Sequence, residues 1–552
     1  MKHKLSAGII CVIALLLVSA TAMFAQTATT GQVIGTVKDP SGAVVPGAKI
    51  TLTSAAGEKR EATSDPAGDF RVPLVPPGTY TLNVDAQGFR PMKAEGVMVK
   101  VTETTELIAN LRMGGSVETV DITAEPPLVQ TTSPTAGRVI QETQIKQLPL
   151  PTRNFQQLLA LSPGTVSAIA NNTDMGRGDV LISVGGQRTT SNNVLVDGTE
   201  VNSAGTNGTT NISVPSPDSV QEFIVQTSLY DATQGRNAGG NIAVVTKSGT
   251  NNFHGSVFEF LRNDALNAND FFLNRAGRQR PVLKRNQFGG TFGGPIVKDK
   301  TFFFVAYQGT RERNGASLAN SLTTPLLPNS LTNDRSDATL AALATTYGAA
   351  SLNPIAKSIL QAKLPSGGFA IPSPIGTALT PTALIASPTS AVSRYQEDQF
   401  SVNIDQQIKP SNRLQGKFFF SRVPQFQSQF TFQGVNVGQI PGYGGMIEFN
   451  NRVFTLADTH VFNSNLINEA RFGFSRINGP SVPQEPFKGS DFGITNPLCG
   501  TNASFCGMPT IAVTNAFTIG STTLADQKST VETFQYSDML SWTHGKHFVR
   551  MG

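Results

Sequence analysis

Cysteine is nearly absent from this chain of 552 residues: there are three, and Cys11 lies in the apolar N-terminal stretch, leaving Cys499 and Cys506. A small disulfide-stapled scaffold is thereby excluded. Histidine is scarce, and His3, His254, His460, His544 and His547 are too scattered to complete a four-ligand metal site. His544 and His547 are close, but a turn at a strand end accounts for them. Charged residues make up 15%, well below the ~25% of soluble globular proteins. Beyond the N-terminal stretch no apolar run approaches the ~20 residues a membrane-crossing helix needs, so a closed barrel is the membrane architecture left open. No basic stripe interleaved with aromatics is present, which argues against a nucleic-acid partner. The Gly-Gly pairs at 185, 239, 289 and 293 lack the Lys-Ser/Thr and helix that a phosphate loop requires. No nucleophile, base and orienter can be assembled, so neither an enzyme nor a bound cofactor is expected.

What is abundant is glycine (52) and phenylalanine (34), in short runs with period-two alternation. The chain starts with Lys2, His3 and Lys4, then apolar or small residues from Ile9 to Val18 and small residues to Ala25, the order of a secretory signal. Cleavage after Ala22 fits the small-x-small rule; cleavage after Ala25 is the favoured reading, giving a signal over 1–25. Removal of Lys2 and Lys4 leaves 41 bases against 38 acids, so a net charge of +5 becomes +3. Cys499 and Cys506 lie in the Gly/Asn/Pro-rich stretch NPLCGTNASFCGMP, where a disulfide closing a small loop is favoured over two free thiols.

From 31 to 113, short strands alternate with Pro-Ser-Gly, Pro-Ala-Gly and Pro-Pro-Gly turns. Val33, Gly35 and Val37 share one face, as do Tyr80, Leu82 and Val84, which predicts a sandwich of two sheets. Asp65 and Asp69 fit a turn better than a calcium site. GTVKDPSGAVVPGAKITL, SDPAGDF, PPGTY and the Gly-Phe at 88–89 closely resemble the carboxypeptidase regulatory-like domain, an accessory module of carbohydrate-binding-like or transthyretin-like fold. The resemblance implies no peptidase activity.

A hinge over 114–131 begins as an alternating strand and ends in Pro126-Pro127. The stretch 132–251 follows, with helical turns broken by Pro149, Pro151 and Pro163, apolar faces from Phe155, Leu158, Leu159 and Leu161, and several short strands. LPLPTRNFQQLL, VGGQRTTSNNVLVDG, SVQEF and GGNIAVVTKSGTNNFHG, in that order, strongly resemble the plug of TonB-dependent receptors of the Oar-like branch. Gly186-Gln187 stands where such receptors often carry Asn-Gly-Gln. The resemblance implies that Glu118, Thr119, Val120, Asp121, Ile122 and Thr123 are an energy-coupling segment offering a strand to a periplasmic TonB-type protein; the other reading makes them the last strand of the sandwich. Arg188, Asp197 and Arg236 are expected to make polar plug contacts.

Beyond 252 the strands lengthen. In QFSVNIDQQI, Phe400, Val402, Ile404 and Ile408 share one face, and Ser401, Asn403 and Asp405 the other, the repeat that lipid outside and water inside demand. Tyr307, Phe534, Tyr536 and Trp542 suit interfacial girdles. Long external loops are expected over 314–393, with short helices near Asp337–Tyr347 and Pro354–Lys363, and over 479–527. Eight or nine strands follow Phe253, against about 22 in plugged transporters, and no terminal aromatic closes the chain, so a truncated barrel is expected. The fold class expected is mainly β: N-terminal sandwich, α+β plug, and the first part of an antiparallel transmembrane barrel. The function expected is energy-coupled import of a scarce extracellular solute (siderophore, glycan, peptide or protein) across a Gram-negative outer membrane, with outer-membrane lipid as the surrounding partner. The alternative is a non-transporting surface protein that binds polysaccharide or another cell.

Overall fold

Turn chemistry and period-two alternation set the first unit. The computed structural model describes residues 29–114, 118–121, 136–167, 173–178, 180–203, 212–228, 234–235, 237–317, 321–429, 431–432, 435–436, 440, 442–501, 506–520, 529–544 and 547–552. Strands β1 (Gly31–Lys38), β2 (Lys49–Ser54), β3 (Lys59–Thr63), β4 (Asp69–Val75), β5 (Gly78–Asp85), β6 (Met92–Val99), β7 (Thr104–Asn110) and β8 (Glu118–Asp121) form two sheets, β4-β1-β7 and β3-β2-β5-β6-β8. Val33, Val37, Ile50, Leu52, Tyr80 and Leu82 meet between them, so each alternating strand buries one stripe. In the β3–β4 turn the Asp65 carboxylate accepts the amides of Ala67 (2.8 Å) and Asp69 (3.0 Å), and Gly68 takes φ +77. That is an Asx-type turn satisfied by the backbone.

The second unit is a five-stranded sheet in the order β13-β12-β15-β14-β9, from β9 (Ala136–Gln141), β12 (Asn193–Val196), β13 (Thr199–Glu200), β14 (Val220–Ser228) and β15 (Asn241–Thr246); β10 (Thr165–Ser167) and β11 (Ile182–Val184) pair beside it. All six residues of β15 are buried, as a strand covered on both faces requires. A 3₁₀ helix, Phe155–Leu161, buries Phe155, Leu158 and Leu159. Leu161, expected on that apolar face, is instead exposed, because the helix stops there before Ser162-Pro163.

The third unit is one antiparallel ladder: β16 (His254–Asn263), β17 (Leu283–Val297), β18 (Thr301–Asn314), β23 (Ser393–Lys409), β24 (Asn412–Gln427), β27 (Gly445–Asn463), β28 (Leu466–Asn478), β32 (Thr530–His544) and β33 (His547–Met551). Neighbours are joined by short turns at one end (298–300, 410–411, 464–465) and long links at the other, the asymmetry of periplasmic and external ends. Register lines up Phe292, Val305, Val402, Phe418, Phe454, Phe474 and Phe534 in one cross-strand row on the outward face. The inward face is polar: Ser401, Asn403 and Asp405 are buried against the second unit.

The long links fold together. β19 (Leu322–Thr323) pairs with β22 (Thr389–Ser390), β20 (Leu326–Pro328) with β21 (Leu384–Ala386), β25 (Thr431–Phe432) with β26 (Val435–Asn436), and β30 (Ile511–Val513) with β31 (Phe517–Ile519); β29 (Ser481–Pro483) extends β27. Helices Asp337–Thr346 and Pro354–Gln361 start from the caps Ser336 and Asn353. Leu327, Leu340, Ile359, Tyr443, Phe492 and Phe517, from three different links, share one apolar core, so the external loops form a folded cap. A disulfide joins Cys499 and Cys506 within it. A closed loop of that size is worth roughly 2–3 kcal/mol by chain entropy. Replacing both cysteines with serine should loosen the cap by about 2 kcal/mol, read as faster protease cleavage within 479–527. An unchanged cleavage rate would show that the bridge does not hold the cap.

Candidate functional site

The functional surfaces are the contacts that hold the middle unit against the inner wall and the sandwich beneath it. At the turn after β12, Asp197 takes φ +50 and Gly198 φ +80, a left-handed pair that Asp-Gly tolerates. The Asp197 carboxylate accepts the Thr246 amide (3.0 Å) and hydroxyl (2.7 Å) and the Nζ of Lys417 on β24 (2.8 Å). Thr199 meets Thr455 across 2.7 Å, and the Glu200 amide donates to Gln535 Oε1 at 2.8 Å. The φ of +80 favours glycine at 198, and a Cβ there would also displace the Arg471 guanidinium that lies against the turn.

Nearer the external end, Arg285 on β17 is fully buried and pairs twice with Glu312 on β18 (Nε to Oε2 3.0 Å, Nη2 to Oε1 2.9 Å). Its remaining donors reach the backbone carbonyls of Pro151 (3.2 Å) and Asp174. Glu312 also accepts the Gly176 amide at 2.8 Å, and Asn314 donates to the Thr173 carbonyl at 2.8 Å. Arg177 pairs with buried Glu397 at 3.2 Å, and the Tyr395 hydroxyl donates to the same carboxylate at 3.0 Å. Arg153 pairs with Asp218 and lies over the rings of Phe258 (4.4 Å) and Phe260 (4.2 Å) on β16. These ties fix residues 151–153 and 173–177 to four wall strands.

At the opposite end the sandwich closes on both other units. Arg413 on β24 bridges Glu58 of the sandwich (3.0 Å) and Asp405 on β23 (2.9 Å), and Arg60 pairs with Glu58 at 2.7 Å. Burial alone would raise the Glu58 carboxyl, but Arg413 and Arg60 override it and hold it below the ordinary glutamate value. On the plug side, Glu222 accepts the Val101 amide at 2.5 Å, and Gln221 donates to the Pro77 carbonyl at 2.8 Å. Val101 packs with Ile224, Ala243 and Val245. Burial in that apolar contact pushes the Glu222 carboxyl up to about 8, against the pull of its Val101 bond; Glu103 raises it further and Lys100 lowers it. A cavity of about 80 Å³ lies where the three units meet, lined by Thr30, Pro77, Asp197, Thr246, Lys417 and Arg471 among others.

Of the residues singled out from sequence, Asp197 sits in this contact network. Arg188 is exposed at the turn preceding β12. Arg236, Ala22, Ala25, Ile122 and Thr123 lie outside the described residues. Glu118, Thr119, Val120 and Asp121 form β8, the edge strand beside β6, parallel to it with Met92 opposite Glu118. Among the described residues no cluster of histidine, cysteine and carboxylates is placed to hold a metal. Sequence reasoning missed Arg285, Glu312, Arg153, Arg177 and Arg413. The available signal was charge on the inward face of the long strands, where Glu312, Asp405 and Arg413 alternate with outward residues.

Comparison with known proteins agrees with this arrangement. Family models match residues 32–113 (carboxypeptidase regulatory-like domain), 129–242 (TonB-dependent receptor plug domain) and 245–552 (outer membrane beta barrel domain), the last covering more than half of the chain. The chain is 32% identical over 326 residues to the TonB-dependent transporter Oar of Myxococcus xanthus, a match over 55% of this chain and 29% of that protein. Similar solved structures include the outer membrane transporter YddB from Escherichia coli (11% identity, TM-score 0.43, 74% of this chain and 45% of that one) and the siderophore receptor PirA from Acinetobacter baumannii (16%, 0.42, 74% and 45%). The chain thus spans less than a third of the curated relative it matches, and under half of these solved chains. With sandwich, plug and outward apolar ladder in the order of those three family models, the chain belongs to the outer membrane β-barrel family and carries, ahead of its barrel strands, a segment that matches the TonB-dependent receptor plug domain.

Proposed function

We propose that the protein admits a scarce extracellular solute to the periplasm, with the plug shifted by force from a TonB-type coupling protein. One observation supports this best: beside apolar packing on Phe419, Val453 and Ile477, the plug is tied to the wall through ion pairs and hydrogen bonds at Asp197, Arg285–Glu312 and Arg177–Glu397, contacts that water can replace when the plug moves. The folded external cap is the surface for the solute, and the signal over 1–25 exports the chain. The coupling segment is Glu118–Thr123, whose described part is an edge strand, the geometry to which a partner adds a strand of its own.

The test is binding of a purified TonB-type periplasmic domain to the chain. Deletion of 118–123 should abolish it, while deletion of an equal stretch at 124–129 leaves it within twofold. Equal binding after both deletions would sink the assignment and favour a passive surface-binding protein.

A further inference from the structure

On the outward face, beyond the apolar band, three cations stand side by side. The register places Lys284 opposite Arg313 across β17 and β18, and Arg313 opposite Arg394 across β18 and β23. All three are exposed, while their neighbours in sequence, Leu283, Arg285, Glu312, Asn314, Ser393 and Tyr395, are buried on the inward face. Like charges directly opposite one another across strands repel, yet no ion pair or side-chain hydrogen bond joins any of the three to another described residue. The outward acids nearby do not relieve this. Asp398 is held by Arg311 (2.8 and 3.0 Å) and by the Tyr307 hydroxyl (2.6 Å), and Glu259 lies two outward rows away, opposite Phe288. The row ends on Asn263 at one side and Phe426 at the other, neither of them charged.

Height in the membrane identifies what fills the row. The first outward aromatics toward the membrane are Phe288, Tyr307 and Phe400, four to six residues along the same strands. At ~3.4 Å per residue and ~45° tilt this sets the cations roughly 10–14 Å above the band. Long side chains bend back toward the interface, so the charged ends reach the headgroup layer of the external leaflet. The long links leave from this end of the strands, which makes the leaflet the outer one.

We propose that Lys284, Arg313 and Arg394 form a docking site for the phosphate groups of an anionic outer-leaflet lipid, whose acyl chains lie against Phe288, Tyr307 and Phe400. Three cations on three adjacent strands match a headgroup carrying more than one phosphate, and the bound anion removes the repulsion along the row.

The test uses the full chain in a maltoside detergent, with diphosphoryl lipid A as probe and native mass spectrometry as readout. K284Q/R313Q/R394Q should weaken binding at least tenfold, whereas the charge-keeping K284R/R313K/R394K should stay within threefold of the parent. Dephosphorylated lipid A should bind at least tenfold more weakly, and millimolar inorganic phosphate should displace little of the lipid. The proposal is overturned if the neutral triple variant binds like the parent, or if R452Q/R476Q loses as much. It is overturned equally if inorganic phosphate alone competes fully, which would make the row a site for the free anion.

Discussion

Glu312→Ala should weaken the anchoring of the plug by about 3–5 kcal/mol, the cost of stranding one member of a buried ion pair. The Glu312 carboxylate takes two bonds from Arg285, one from the Gly176 amide and one from Asn314 Nδ2 (2.7 Å). Alanine leaves the Arg285 guanidinium buried with only the Pro151 and Asp174 carbonyls, and leaves the Gly176 amide without its acceptor. The same change loosens the 173–176 strip at Gly176, which at φ +64 lies against the Tyr395 ring, while the Thr173 and Asp174 carbonyls keep their bonds to Asn314 and Arg285. Replacing the pair by apolar residues, Arg285→Met with Glu312→Leu, should cost less than the single change, because no unpaired charge remains. The readout is the denaturant dependence of tryptic cleavage at Arg153. A single variant within 1 kcal/mol of the parent, or a double variant worse than the single, would refute the anchoring role.

The sequence showed the ladder more readily than the contacts, and the reason is physical. Phe400, Val402 and Ile404 announce an outward face because lipid forces one chemistry on every second residue. The inward face has no such rule: Ser401, Asn403 and Asp405 are alike polar, and nothing local distinguishes Asp405, which holds Arg413, from its neighbours. Arg413 and Glu58 are 355 residues apart, so their pairing exists only once two units dock. Asp197 was legible as a charged residue in a unit that must meet a polar lumen through polar contacts, and it makes them to Thr246 and Lys417. Arg188 looked equivalent, but its turn leaves the side chain exposed. The external cap was hidden for another reason. Its core is shared by three links, so no one of them has the periodicity of a domain. For Glu118–Thr123 both readings were open, and the structure pairs its first four residues with β6 at a sheet edge.

Docking of the sandwich beneath the plug should weaken as pH rises from about 5 to about 8, and Glu222→Gln should remove most of the dependence. The sign follows from the two states. Docked, the Glu222 carboxyl is buried and its pKa stands at about 8; undocked, it meets water and returns toward the usual ~4.3. A raised acid favours the docked state fully below the undocked value, loses that advantage as pH climbs between the two, and has lost it above about 8. The groups facing it are the Val101 amide, Lys100 and Glu103 from the sandwich; burial raises the Glu103 carboxyl too, so Glu103 adds to the trend rather than cancelling it. Glu58 works in the opposite direction and in a different window. Its depressed pKa makes the Arg413 contact fail only in acid, below the ordinary carboxylate range. Between pH 5 and 8 the Glu222 contact therefore governs. The readout is hydrogen exchange of the Val101 amide, corrected for its intrinsic pH dependence. Protection should fall at least tenfold from pH 5.5 to 8.5 in the parent and less than threefold in Glu222→Gln, where a neutral amide oxygen still accepts the same bond. A flat profile in the parent would mean that Glu222 is not buried by docking. An unchanged slope in the glutamine variant would move the titration to Glu103, and in either case the sandwich would not be a pH-responsive seal on the plug through Glu222.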